Sequence, residues 1–139
     1  MEPIVFKYNV DGEDFSIAGE ASAALKKSLK QMGFSPDVIR RVSIAMYEGE
    51  INMVIHADGG EATAEITDDT IRIILADKGP GIKDVELAMQ EGYSTAPDEV
   101  RNLGFGAGMG LPNIKRYSDD LKIDTVLGVG TTLTITINI

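Results

Sequence analysis

The sequence predicts an α+β fold, a two-layer sandwich in which a mixed, mainly antiparallel sheet carries its helices on one face. Three observations lead there. Apolar residues recur at helical spacing between Ala21 and Ala57, then switch to short alternating or continuous runs after Gly59. The elements read hairpin, two helices, two strands, helix, loop, helix, two strands. The late strands are joined in pairs by tight turns, at Asp68-Asp69 and at Gly128-Val129-Gly130. Short turns join antiparallel neighbours, whereas a doubly wound parallel sheet needs long crossovers.

Taken in order, residues 4–18 alternate loosely around Asp11-Gly12, which predicts an N-terminal β-hairpin. A helix is expected from Ala21 to Met32, with Gly33 as its stop. Ser35-Pro36 restarts the chain as an N-cap followed by proline at the first helical position, and the second helix should run to about Ala57. The stretch "GGEATAEITDDTIRIILAD" reads as two strands, and a short helix is expected over Lys83 to Gln90. Residues 91–110 carry glycines at 92, 104, 106, 108 and 110 and no periodicity, the pattern of a long functional loop. A helix from Leu111 to about Tyr117 and the strands "LKIDTVL" and "TTLTITINI" complete the chain.

With 139 residues, one domain spanning 1–139 is expected. Aromatic residues make up 6% of the chain and tryptophan is absent, so the core should be aliphatic. The net charge of −9 argues against nucleic acid and against anionic membranes as partners. Such a protein can hold a small anion only with local devices: backbone N–H groups, a helix N-terminus or a metal ion. No cysteine is present, which removes disulfides and thiolate chemistry and fits a reducing compartment. The chain also has no apolar signal segment and no run of membrane-spanning length, so it is expected to be cytoplasmic.

Three stretches carry the chemistry. On the second helix Glu48, Asn52 and His56 follow at i, i+4 and i+8 and form one stripe bordering Ile44, Ala45 and Ile55, with Arg40, Tyr47 and Glu50 expected on the opposite side. A carboxylate on the inner side needs a metal, a hydrogen bond, a raised pKa or a water-filled cleft; a helix rotated so that Glu48 is solvated reads equally well. Next to it, Gly49 costs about 1 kcal/mol relative to alanine in a helix interior and permits close packing or close approach of a ligand. In "DKGPGI", Asp77 ends an apolar strand and Gly79 and Gly81 let the backbone turn, so the carboxylate can accept from an exocyclic amine; a plain strand-ending turn reads equally well. In "GFGAGMGLPNIKRY", glycines lead into a helix N-terminus suited to an anion, without the G-K-[ST] ending of a P-loop; a merely flexible loop is the alternative.

The order of these elements, with Gly128-Val129-Gly130-Thr131-Thr132 as a fourth, resembles the Bergerat-type ATP-binding fold of gyrase, Hsp90, histidine kinases and MutL. That resemblance runs from about Ser35 to the C-terminus. It implies ATP and Mg²⁺ as cofactors, Glu48 as general base and Asn52 as the Mg²⁺ ligand. It further implies that Asp77 binds the adenine amine, with Gly79, Gly81 and Ile82 around the base. Gly106, Gly108, Met109, Gly110 and Leu111 would belong to the lid over the phosphates, and Thr131, or alternatively Thr132, would reach adenine through water. His56 stands where relatives often carry an aromatic residue or histidine near the nucleotide; a packed core residue is the alternative.

The segments "GYST" and "GAGMGLPNIKR" look like those of the anti-sigma-factor serine/threonine kinases. That likeness implies a hydroxyl acceptor on a small STAS-domain anti-anti-sigma protein, a sigma factor as a further partner, and a possible homodimer. Arg101 is the candidate cation for the γ-phosphate. Two departures bear on subclass: Gly49 replaces the small apolar residue usual after the acid, and Ile55 stands where histidine kinases often have lysine. A non-catalytic nucleotide-sensing module and the ATP-binding part of a split histidine phosphorelay are the alternative functions.

Overall fold

A computed structural model describes residues 2–12, 17–57, 59–82, 85, 89 and 110–139. Five strands and three helices are seen among them: β1 (Ile4–Asp11), α1 (Glu20–Gln31), α2 (Pro36–Ala57), β2 (Gly59–Ile66), β3 (Thr70–Asp77), α3 (Gly110–Tyr117), β4 (Asp120–Val126) and β5 (Gly130–Asn138). The strands form one sheet in the order β1-β2-β3-β5-β4. Every neighbouring pair is antiparallel, so the expected mixed character is absent from the described sheet.

The helix boundaries follow from their punctuation. Gly33 adopts φ +83°, and a pair of reversed bonds, Gly33 N–H to the Lys30 carbonyl and Phe34 N–H to that of Leu29, closes α1 as a Schellman motif. Ser35 Oγ then accepts from Val38 N–H at 3.3 Å, and Pro36 occupies the first turn, where its missing donor costs nothing.

Among the described residues, β1 has a partner other than the expected hairpin strand. β1 pairs along its whole length with β2, from Ile4 opposite Ile66 to Asp11 opposite Gly59. Residues 13–16, within the second strand of that hairpin, lie outside the described residues, and Ile17 to Gly19 form a turn leading into α1. Alternation marks a strand but does not name its partner, and here the partner lies about fifty residues away across two helices.

One face of each of the three central strands is buried: Ala62, Ala64 and Ile66 of β2, Ile71, Ile73 and Leu75 of β3, Leu133, Ile135 and Ile137 of β5. All three helices cover this face, and α2 crosses it against β1, β2, β3 and β5. Gly49 lets α2 settle onto the sheet, because a Cβ there would strike the Leu75 side chain and stand 3.7 Å from Ile114. The helix-interior glycine therefore serves packing. Arg41, in the second turn of α2, bonds Asp37, Asp119 and the Asn138 carbonyl, which ties the helix to the end of β5. Of the short helix expected over 83–90, only Val85 and Met89 are described, linked by Met89 N–H to the Val85 carbonyl at 3.0 Å.

Candidate functional site

The flanks of α2 differ. Glu50 does not face solvent as its helical position suggested. It is 2% exposed, and its carboxylate accepts from Gly19 N–H (3.0 Å), Ala21 N–H (3.2 Å), Ser22 N–H (2.9 Å) and the Ser22 hydroxyl (2.6 Å). α1 begins at a glycine in the left-handed region with no capping side chain, so its orphan N–H groups need an acceptor from elsewhere. Glu50 supplies it and places a negative charge at the positive end of the helix dipole.

Glu48 and Asn52 lie on the flank toward α3. Glu48 is half-buried and is hydrogen-bonded by the Asn113 side chain. Burial raises its carboxyl above the ordinary glutamate value, and the bond from Asn113 opposes that rise. Such a carboxyl is a better proton acceptor than a solvated one. Asn52 is also partly exposed, and its amide abuts the start of α3: a Cβ on Gly110 would stand 2.9 Å from Nδ2 and 3.0 Å from Oδ1. Only glycine leaves that amide its space. His56 continues the stripe on α2, and its side chain is outside the described structure.

The far end of the site is built where β3 and β5 run side by side. Their antiparallel register sets Ala76 opposite Thr132, bringing the last residue of β3 to the first turn of β5. Asp77 Oδ1 accepts from Gly79 N–H at 2.9 Å and from Thr131 N–H at 3.1 Å. Both bonds fall on one oxygen, and among the described residues Oδ2 accepts none. Thr131, 7% exposed, shares a hydroxyl–hydroxyl bond of 2.9 Å with Thr125, whose Oγ1 accepts from Ile82 N–H at 2.8 Å. Gly81, at φ +82°, lies so close to β4 that a Cβ would come within 2.7 Å of the Val126 carbonyl oxygen. Gly79 lies against the end of α2, where a Cβ would meet Ala57 Cα at 2.7 Å.

α2 therefore joins both ends. From Glu48 to Ala57 the axis advances about 14 Å, with Asn52 and Gly110 partway along and the Asp77–Thr131 cluster at Ala57. The structure brings together Glu48, Asn52, Gly110 and, at the other end, Asp77, Gly79, Gly81, Ile82 and Thr131. Leu111 is 8% exposed and belongs to the core, so only its backbone is left to meet a ligand. Gly106, Gly108, Met109, Arg101 and the "GYST" segment lie outside the described residues. Asn113 is a residue that motif reading passed over; its position three residues after Gly110, on the same helical face, was the available signal.

No group of three or more histidine, cysteine, aspartate or glutamate side chains suited to a metal occurs among the described residues. The Asn52 amide oxygen is nonetheless a hard ligand of the kind Mg²⁺ takes singly, completing its shell with waters and phosphate oxygens. An open groove of about 550 Å³ lies between α1 and α2; Gly19, Ser22, Lys26, Ile44 and Tyr47 line it, and it reaches Glu48 but not Asn52 or Asp77.

The chain belongs to the histidine kinase-like ATPase domain family, whose model matches residues 16–137. Within that class it is similar to the serine/threonine-protein kinase RsbT of Bacillus subtilis (strain 168), with 33% identity over 106 residues that cover 73% of this chain and 74% of the relative. It is also similar to the anti-sigma F factor of Clostridium beijerinckii (strain ATCC 51743 / NCIMB 8052), with 33% identity over 121 residues, 83% of this chain and 81% of that protein. The fold matches the SiaB-SiaC complex from Pseudomonas aeruginosa with a TM-score of 0.64 at 15% identity, covering 98% of this chain and 90% of the matched one. It matches the RsbU and RsbW domains of Rv1364c from Mycobacterium tuberculosis with a TM-score of 0.65 at 18% identity, over 96% of this chain and 32% of that chain. No helix among the described residues is long and apolar enough to cross a membrane.

Proposed function

We propose that the chain binds ATP with Mg²⁺ and transfers the γ-phosphoryl group to a serine or threonine of a small STAS-domain protein, acting in the cytoplasm as an anti-sigma regulator. The observation that carries this reading is the pair on one flank of α2: a half-buried carboxyl of raised pKa, Glu48, one helical turn from the Asn52 amide that meets the start of α3. Its relatives include a named serine/threonine-protein kinase and anti-sigma F factors.

Asp77, oriented by Gly79 and Thr131, would accept from the adenine amine through Oδ2, while the Thr125–Thr131 hydroxyl pair lies at hand for a bridging water. Asn52 would hold Mg²⁺, which when bound neutralises charge on the phosphates. The backbone N–H groups of Gly110, Leu111 and Asn113, in the first turn of α3 where Pro112 has none, would serve the phosphates. Glu48 then takes the proton of the attacking hydroxyl as its oxygen bonds to the γ-phosphorus, and the bond to the β-phosphate oxygen breaks to release ADP.

Incubation with labelled ATP, Mg²⁺ and a candidate STAS protein should give acid-stable phosphoserine or phosphothreonine, and Glu48→Gln should slow the transfer by about a hundredfold or more. Transfer at the parent rate by the Gln variant would contradict the base assignment. A second reading, a nucleotide-sensing module without turnover, is favoured by those relatives named anti-sigma F factor rather than kinase. It expects Mg²⁺-dependent ATP binding and capture of a regulator with no phosphorylated product. Acid-labile label on a separate chain would instead indicate the split histidine phosphorelay. A homodimer belongs to the same proposal, and sedimentation of the purified chain tests it.

A further inference from the structure

Glu48 has a partner that the function proposed above does not use. α3 lies across α2 in an order fixed by three independent contacts: the Arg40 guanidinium stands 5.7 Å over the Tyr117 ring, Ile114 faces Gly49, and Gly110 meets the Asn52 amide. Asn113 falls between these anchors, where its side chain reaches Glu48. We infer that Asn113 is a positioning residue for Glu48, its amide donating a hydrogen bond from α3 that fixes the direction in which the carboxylate points.

The chemistry suits that task. A carboxylate has lone pairs on both oxygens, and a single amide donor occupies part of one of them, leaving the other oxygen open to a hydroxyl proton. An asparagine holds the group without adding charge, whereas a lysine or arginine there would stabilise the anion and weaken it as a base. Glu48 is half-buried, so solvent reaches only part of its carboxyl. The anchors on either side of Asn113 limit how far its backbone can drift, and a base displaced by about 1 Å can lose on the order of a hundredfold in rate.

The inference rests on the kinase reading for its kinetic consequence, so the test has two arms. In the full chain without nucleotide, ¹⁵N NMR of the Asn113 side-chain amide should show its resonances move in Glu48→Ala; unmoved resonances overturn the inference. In the transfer assay, Asn113→Ala should lower kcat by about tenfold to a hundredfold, with the KM for ATP, the Mg²⁺-ATP affinity and the thermal midpoint unchanged. Asn113→Asp, equal in shape but unable to donate when ionised, should be at least as slow. Full kcat in either variant overturns the inference, as does an equal loss in the Glu48→Gln background, where the two substitutions should not add. If the wild-type chain transfers no phosphoryl group while the amide resonances do respond to Glu48→Ala, the contact stands and the kinase reading falls.

Discussion

Glu48 and Glu50 stand two residues apart on the same helix and have opposite fates. Glu50 is almost fully enclosed, but its oxygens accept four hydrogen bonds from the start of α1, so its charge is spent on structure. Glu48 is less buried and far less satisfied, with Asn113 as its described partner and a raised affinity for its proton. Depth of burial thus fails to single out the chemically available carboxyl. Unused acceptor capacity does so, because a saturated carboxylate has no lone pair left to receive a substrate proton.

Substitutions at and between these residues test the contrast. The largest effect is expected in the transfer assay, where Glu48→Gln should lose about 10²–10⁴-fold, the usual range for a general base. Next comes stability. Glu50→Ala leaves buried donors of Gly19, Ala21 and Ser22 without an acceptor, and at about 1–3 kcal/mol for each unsatisfied group the loss in urea unfolding should reach about 3 kcal/mol. A Glu50→Ala chain as stable as the parent would mean that water replaces the carboxylate, and the structural role would fail.

Smaller effects follow. Gly49→Ala, at the residue between the two acids, gains about 1 kcal/mol of helix propensity but crowds Leu75 in the core at about 1–3 kcal/mol. A net destabilisation of about 1 kcal/mol is expected in the same unfolding assay, and a stabilised variant would show that Leu75 can yield. The smallest effect concerns Glu48→Gln without nucleotide. Because folding raises the Glu48 pKa, the group favours the folded state while protonated and penalises it once ionised. The penalty is absent below the unfolded-state pKa and grows as pH rises through the folded value. Glutamine never ionises, so the variant should melt slightly higher at about pH 8 and converge with the parent by about pH 4.

Elements whose ends are set by local chemistry were legible in advance. Ser35-Pro36 and Gly33 announce the helix boundaries because capping is decided within a few residues. The β3–turn–Asp77 end was legible for the same reason. Pairing across distance was not: nothing in residues 4–11 says that β2 rather than a neighbouring segment will lie beside them. Glu50 was misplaced because helical periodicity assigns a charged residue to solvent by default. The clue lay on another helix, in an α1 that starts at Gly19 without a cap. Asn113 was hidden similarly, since its meaning depends on how α3 crosses α2.

The Asp77 carboxylate has a further consequence for anyone seeking an inert control. The side chain proposed to recognise the purine also staples the second residue of β5, Thr131, to the turn after β3 at Gly79. Ligand recognition and the β3–β5 junction therefore depend on one carboxylate, and replacing Asp77 would blur a loss of binding with a loosened pairing of these two strands. A nucleotide-blind chain that keeps its architecture should be sought at Asn52, whose amide borders α3 without holding any strand in place.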